Sequence, residues 1–128
     1  PDVPMCTGQW WPETDFSEAF VLWREVGVDY EGGVLDQSAR ATIHLTHRIG
    51  AIMTLLVLLT LAVRSFKVPK LRAGGQVLMT LVLAQFTLGV LNVALHLPLI
   101  NAVAHNAGAA LLLASLLGLL DKTASRAY

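Results

Sequence analysis

Charged residues are scarce in this sequence of 128 residues. Asp, Glu, Lys and Arg make up 14% of it, against roughly 25% in soluble domains, and hydrophobic residues make up 55%. Cysteine is nearly absent, since Cys6 is the only one. There is no Cys-x-x-Cys pair, no glycine-rich phosphate loop, no Ser-His-Asp pattern in an identifiable context and no long basic run with interleaved aromatics. These absences leave a soluble enzyme or a nucleic-acid-binding protein without support.

The few charges are unevenly distributed. Residues 1–41 hold eight acids and two bases, a net charge of −6, whereas residues 42–128 hold seven bases and one acid, a net charge of +6. All three tryptophans lie in the first segment, and tryptophan is enriched at membrane interfaces. Apolar spacing over 16–25 predicts a short amphipathic helix, with Ser17 as its cap. We predict that 1–41 is an outer loop on the membrane surface; a separately folded domain is the alternative.

Three long apolar stretches follow this segment. They cover about 22, 24 and 20 residues at 42–63, 74–97 and 101–120. Each reaches the ~20 helical residues that cross a hydrocarbon core about 30 Å thick. Buried helices of a soluble protein are the alternative, but three such stretches in succession favour membrane spans. The fold class predicted for 42–128 is therefore an all-α transmembrane bundle.

Loop charges orient the predicted bundle. Four bases and no acid lie between the first two stretches, and two more bases follow the third. Under the positive-inside tendency these ends are cytoplasmic, so 1–41 and the turn at 97–99 lie outside. The sequence does not begin with Met, and three spans with an outside start are one short of a four-helix unit. We therefore expect a fragment that lacks an upstream span.

Two histidines lie at matched depth in different stretches. Counted from Thr42 and Asn101, His47 and His105 both lie roughly 6–8 Å below the outer rim, at 1.5 Å per helical residue. Ionisable side chains at membrane depth are costly and usually functional, and neutral imidazole is a common ligand of haem iron. The pair is the candidate cofactor-binding and metal-ligating site; histidines that only form hydrogen bonds are the alternative.

Several polar residues surround this pair. Arg48 is placed to reach either a haem propionate or a lipid phosphate. His44, one turn earlier, is a candidate for a hydrogen-bonding neighbour of the ligand, for a proton carrier or for a substitute ligand. His96 fits an interfacial position. Asn92 and Asn106 are expected to bond between helices. No carboxylate lies inside the three stretches, so histidine is the only obvious buried acid or base.

Four segments along the chain carry recognisable motifs. They are Pro1-Asp-Val-Pro-Met-Cys-Thr-Gly-Gln-Trp-Trp-Pro12, Ile43-His-Leu-Thr-His-Arg-Ile-Gly-Ala51, Leu91-Asn-Val-Ala-Leu-His-Leu-Pro-Leu99 and Ala104-His-Asn-Ala-Gly-Ala-Ala-Leu-Leu-Leu113. Each is weak alone, and together they are quite specific. Over essentially the whole chain they resemble the C-terminal half of haem A synthase, and the opening loop resembles the proteobacterial form of that family's second long outer loop.

The resemblance implies two pseudo-symmetric four-helix halves, each with a pair of histidines around a haem. The C-terminal half would hold haem b, with His47 and His105 as axial ligands to its iron, and relay electrons. The N-terminal half, absent from this sequence, would bind haem O. The complete enzyme would oxidise the C8 methyl group of haem O to the formyl group of haem A, through a hydroxylated intermediate. This chain alone would be inactive.

The family pattern and this sequence differ at a few positions. The family's functional glutamate precedes the first histidine of the N-terminal half by three residues, and His44 stands at the equivalent position here, so no catalytic residue is expected in this half. Cys6 matches the second member of a cysteine pair in the family's outer loops, the first falling before Pro1; a free thiol is the alternative. His96 replaces the glycine expected before Leu-Pro-Leu.

The resemblance also implies a location and partners. It predicts a multi-pass inner-membrane protein with residues 1–41 on the periplasmic side. Besides lipid and the upstream half, haem O synthase and further copies of this chain are candidate partners. Two alternatives stay open: a bis-histidine b-type cytochrome that only transfers electrons, and a structural membrane bundle whose histidines bind no haem.

Overall fold

The computed structural model describes residues 11–21 and 35–124, and this part of the chain contains helices and no strand. The elements are α1 (Phe16–Ala19), α2 (Gln37–Phe66), a 3-10 turn (Pro69–Leu71), α3 (Arg72–Ala94) and α4 (Leu99–Ala124). Helices α2, α3 and α4 are each long and apolar enough to cross a membrane. The predicted all-α membrane bundle with three spans is confirmed.

The helix bounds differ from the predicted apolar stretches. Helix α2 begins at Gln37 rather than 42, and α4 continues to Ala124 rather than 120, because backbone hydrogen bonding continues into polar residues beyond the apolar run. Helix α3 ends at Ala94 rather than 97. The division between outer loop and bundle at 41/42 stays a prediction.

The chain divides into two compact units after Ala51, and the first contains α1. Its N-cap is Asp15, whose Oδ1 accepts from the Glu18 N–H at 3.0 Å and from the Ser17 hydroxyl at 2.6 Å. The predicted cap at Ser17 is therefore wrong, because the carboxylate one residue before the helix reaches the free N–H groups of the first turn. The predicted helix beyond Val21 lies outside the described residues.

A buried threonine attaches this segment to α2. The Asp15 N–H donates to Thr42 Oγ1 at 2.7 Å, and the Thr42 hydroxyl donates to the Ser38 carbonyl at 2.8 Å. Thr42 is fully buried, and so is Ala39 one turn earlier. Within this unit, the start of α2 therefore packs against the segment that contains Asp15. The face of α2 that carries Ala39 and Thr42 is covered by protein.

The second unit is built on a small apolar core. Its buried side chains come from the second half of α2, from α3 and from α4: Leu58, Ala62, Leu78, Val82, Leu112 and Leu119. Glycine lets α3 approach α2 closely, since a Cβ added at Gly75 would lie 2.7 Å from the Ser65 Cβ. Most other leucines and valines are exposed, as expected for side chains that face lipid.

The turn between α3 and α4 closes the outer end of this unit. The Leu97 N–H donates to the Asn92 carbonyl at 2.7 Å and the His96 N–H to the Val93 carbonyl at 3.2 Å, which is a Schellman cap. His96 and Leu97 both have positive φ, at 58° and 61°. Pro98 cannot continue the helix, and α4 begins immediately after it. The start of α4 therefore returns beside the end of α3.

Candidate functional site

His105 lies on α4 where it packs against α3. A Cβ added at Gly89 would lie 3.1 Å from His105 Cε1 and 3.7 Å from its Nδ1. The missing side chain on α3 therefore makes room for the imidazole ring. Small residues at membrane helix interfaces permit such close approach, and here the space is filled by a histidine rather than by a second small residue.

The amide of Gln85 contacts the same histidine twice. Gln85 Nε2 donates to the His105 carbonyl oxygen at 2.9 Å and lies 3.4 Å from His105 Nε2. A Cβ added at Gly108 would clash with Gln85 Oε1. Gly108 on α4 thus leaves space for the amide, as Gly89 on α3 leaves space for the ring.

Two polar atoms in this locus are buried without a hydrogen-bond partner in the described part of the chain. They are His105 Nδ1 and Gln85 Oε1. An unsatisfied buried polar atom costs about 1–3 kcal/mol, so such atoms are uncommon and often mark a place where a ligand or water binds. A buried imidazole with an uncommitted nitrogen is the chemistry that a metal ligand needs.

A second polar contact lies towards the turn. Asn101 Nδ2 donates to Asn92 Oδ1 at 2.7 Å and to the Leu88 carbonyl at 3.0 Å. The prediction that Asn92 bonds between helices is confirmed, whereas Asn106 is exposed. The asparagine pair therefore joins α3 and α4 between the turn and the contact of Gln85 with His105.

The other described residues of the predicted site lie on α2 and directly after α3. His47 is exposed on α2 within the first unit, and His44 and Arg48 beside it are half-buried. His96 is exposed at the end of α3, and Cys6 lies outside the described residues. The structure brings His105 together with Gln85; the pairing of His47 with His105 stays a prediction.

Sequence reasoning missed the contact between Gln85 and His105. The signal was present in part, since Gln85 and Gly89 share one helical face and His105 and Gly108 share another. Each polar residue is followed by a glycine three or four positions later, so each helix offers one large polar group and one gap. That complementarity could have suggested the pairing.

The donor at this locus is of a type that binds haem iron. Within residues 11–21 and 35–124, no group of three or more His, Cys, Asp or Glu could hold a metal ion. A haem needs fewer protein ligands, because the porphyrin supplies four nitrogens. His105 offers a buried ring nitrogen without a hydrogen-bond partner among the described residues.

Comparisons with known proteins add a family. Residues 1–117 match the COX15-CtaA family, described as cytochrome oxidase assembly protein. The chain is 46% identical over 114 residues to the haem A synthase of Shewanella oneidensis, which is 89% of this chain and 34% of that protein. It therefore spans about a third of the length of the curated relative that it matches. No solved structure matches the chain.

Proposed function

We propose a function on one established premise: this chain belongs to the COX15-CtaA family of cytochrome oxidase assembly proteins. The function is that of the haem-b-binding C-terminal half of haem A synthase, an oxidoreductase of haem A biosynthesis. The identity of 46% to such an enzyme supports the reaction class. The observation that carries the site is His105, whose Nδ1 is buried without a partner among the described residues.

In this proposal His47 and His105 would hold haem b through their imidazole rings. When bound, the haem supplies one-electron redox chemistry. The ring of His105 packs into the space left by Gly89, and its carbonyl oxygen accepts a hydrogen bond from the Gln85 amide. These contacts restrict the rotation of the ring in the haem-free chain. His47 is exposed on α2, where its imidazole is accessible.

The chain's share of the reaction is electron relay. No Asp or Glu lies within α2 or α3, and the one acid of α4, Asp121, stands near the end of that helix. None of these three helices therefore carries a carboxylate near His47 or His105 in sequence that could act as an acid or base. Oxidation of the C8 methyl group of haem O would take place in an upstream N-terminal half, and this chain alone would be inactive.

The proposed membrane placement follows from charge. The bases Arg64, Lys67, Lys70 and Arg72 cluster where α2 turns into α3, which makes that end cytoplasmic. In this orientation, His47, His105 and residues 1–41 lie towards the periplasmic side of the inner membrane. Three apolar helices supply the contact with lipid.

Absorption spectra test the haem site. The full chain, purified in detergent from a haem-producing host, is expected to show a low-spin b-type spectrum. His47→Ala and His105→Ala are expected to abolish it, because each removes an axial ligand. His96→Gly is the matched control: it removes an exposed imidazole at a position whose positive φ suits glycine, so haem should be retained.

Two results would contradict the proposal. One is full haem retention in His105→Ala. The other is absence of haem both in this chain and in the chain joined to the upstream half. The measurement on the joined chain separates an incorrect ligand assignment from a site that also needs residues of the upstream half.

A b-type cytochrome that only transfers electrons would give the same spectrum. Mass analysis of extracted haems distinguishes the two. Cells that contain the chain with its upstream half should accumulate hydroxylated or formylated haem, and cells with an electron carrier should contain neither. The identity to haem A synthase favours the first outcome.

A further inference from the structure

A groove lies along the last turns of α2, at the end of the bundle away from His105. Its volume is about 360 Å³, and it is lined by Leu59, Thr60, Val63, Arg64 and Lys67. Helical spacing places Thr60, Val63 and Arg64 on the side of α2 opposite its buried core residues. This α2 groove therefore opens away from α3, on a side where lipid is expected.

The two ends of the α2 groove differ in chemistry. Leu59 and Val63 line one end with aliphatic carbon, and the Thr60 hydroxyl there donates to the Leu56 carbonyl of its own helix at 2.7 Å. Arg64 and Lys67 line the other end, and both are exposed. From Leu59 to the end of α2 the helix rises about 10 Å. An apolar groove that ends at two cations matches a molecule with an acyl chain and an anionic headgroup.

The protein supplies no carboxylate to this groove. Residues 37–120 contain no Asp or Glu, and the next acid, Asp121, does not line the groove. The carbonyl groups at the end of α2 already have a base beside them, because Arg72 Nε donates to the Phe66 carbonyl at 3.3 Å. The positive charge of the α2 groove is therefore available to an anion from outside the chain.

The backbone keeps the two groove cations close together. The Lys67 N–H donates to the Arg64 carbonyl at 3.2 Å, and the Val68 N–H donates to the Ser65 carbonyl at 3.2 Å. The chain therefore makes a tight turn directly after α2, and this turn holds Lys67 next to the last turn of the helix.

We propose that the α2 groove binds one anionic phospholipid. The guanidinium of Arg64 and the ammonium of Lys67 bind its phosphate, and one acyl chain lies along Leu59 and Val63. A guanidinium binds phosphate through paired N–H groups, and basic clusters beside membrane helices attract anionic lipids. The positive-inside tendency accounts for bases at this end of the helices, but it does not require two of them to border an apolar groove.

Native mass spectrometry of the full 128-residue chain in detergent tests this site. The probes are dioleoylphosphatidylglycerol, which is anionic, and dioleoylphosphatidylcholine, which has the same acyl chains and no net charge. We expect the first phosphatidylglycerol to bind at least about fivefold more tightly than phosphatidylcholine. In the double variant Arg64→Gln/Lys67→Gln the preference should fall below about twofold, because both cations are removed.

Lys67→Gln and Lys70→Gln are a matched pair. Each removes one exposed lysine from the same connection, but only Lys67 lines the groove. Lys67→Gln should lower the affinity for phosphatidylglycerol by about three- to fivefold, and Lys70→Gln by less than about twofold. Equal losses in the two variants would overturn the proposal, since they would mean that only the total charge of the connection matters.

Three further results would each overturn the proposal. The first is an unchanged lipid preference in Arg64→Gln/Lys67→Gln. The second is displacement of phosphatidylglycerol by excess inorganic phosphate, which would mean a site for free phosphate. The third is loss of the preference when the chain is joined to its upstream half, which would mean that protein covers the groove. The measurement needs no haem, so its result is independent of the proposed function.

Discussion

The two ends of the α3–α4 pair are built from different chemistry. The apolar end consists of buried aliphatic side chains: Leu78, Val82, Leu112 and Leu119. The polar end consists of Gln85, Gly89, Asn92, Asn101, His105 and Gly108, joined by hydrogen bonds across the helices. Within the described residues, only the polar end has buried side-chain nitrogen or oxygen atoms without a hydrogen-bond partner.

This difference indicates that the apolar end stabilises the packing of the helices, whereas the polar end is the candidate ligand site. Lipid is as apolar as leucine, so close packing rather than the hydrophobic effect stabilises the apolar end. Interhelical hydrogen bonds in membranes contribute only about 0.6 kcal/mol each on average. The polar end therefore adds little stability, and in the proposed function its unsatisfied nitrogen would serve a cofactor. The predictions below test this contrast.

Leu78→Ala is expected to have the largest effect on stability. Leu78 has 0% exposure, and its truncation leaves a cavity that costs about 2–3 kcal/mol, the low part of the range for Leu→Ala because lipid also accommodates apolar atoms. Reversible unfolding in mixed detergent micelles measures it. Leu83→Ala on the same helix, at a residue 53% exposed, should cost under about 0.5 kcal/mol. Equal losses of unfolding free energy in both variants would mean that burial of Leu78 does not stabilise the packing of the helices.

Gly75→Ala should destabilise by about 1–2 kcal/mol, because its Cβ would lie 2.7 Å from the Ser65 Cβ and 3.0 Å from the Ala62 carbonyl oxygen. Gly118→Ala on α4 meets nothing within 4 Å and should stabilise by about 0.5–1 kcal/mol, as alanine does in a helix interior. The same unfolding measurement gives both values. Changes of the same sign would mean that α3 does not approach α2 as closely as described.

Asn101→Ala removes two interhelical hydrogen bonds and should cost about 1 kcal/mol. Asn106→Ala, at an exposed position on the same helix, is the control and should change stability little. A loss for Asn101→Ala larger than that for Leu78→Ala would reverse the proposed division between the two ends.

His96→Gly should raise stability by about 0.5–1 kcal/mol. Its φ of 58° is unfavourable for a residue with a Cβ and natural for glycine. Leu95→Gly, where φ is −98°, should instead lower stability, because glycine has more freedom to lose. Thermal unfolding followed by circular dichroism resolves the two signs, and a loss on His96→Gly would argue against the cap geometry.

The sequence was sufficient for the spans and insufficient for their ends. Runs of about twenty apolar residues predict membrane helices from length alone, and α2, α3 and α4 confirm them. The segment that contains Asp15 contacts α2 through Thr42, which is distant in sequence from Asp15. Composition cannot report such contacts.

The site could be predicted in part for a similar reason. The polar stripes placed Gln85 and His105 on inward faces, since helical spacing fixes which residues share a face. Which amide contacts which imidazole depends on the position of α4 along α3, and helical spacing within each helix does not give that position. Both ligand assignments, His47 and His105, stay predictions from sequence and family.

One pair of variants tests the central claim that the polar end binds the haem and the apolar end holds the helices. Haem content, from the reduced-minus-oxidised spectrum, and unfolding free energy are measured for His105→Ala and Leu78→Ala in the same preparation. We expect His105→Ala to lose the haem while its haem-free chain keeps the parent stability, and Leu78→Ala to keep the haem with reduced stability. Haem retained in His105→Ala would contradict the account.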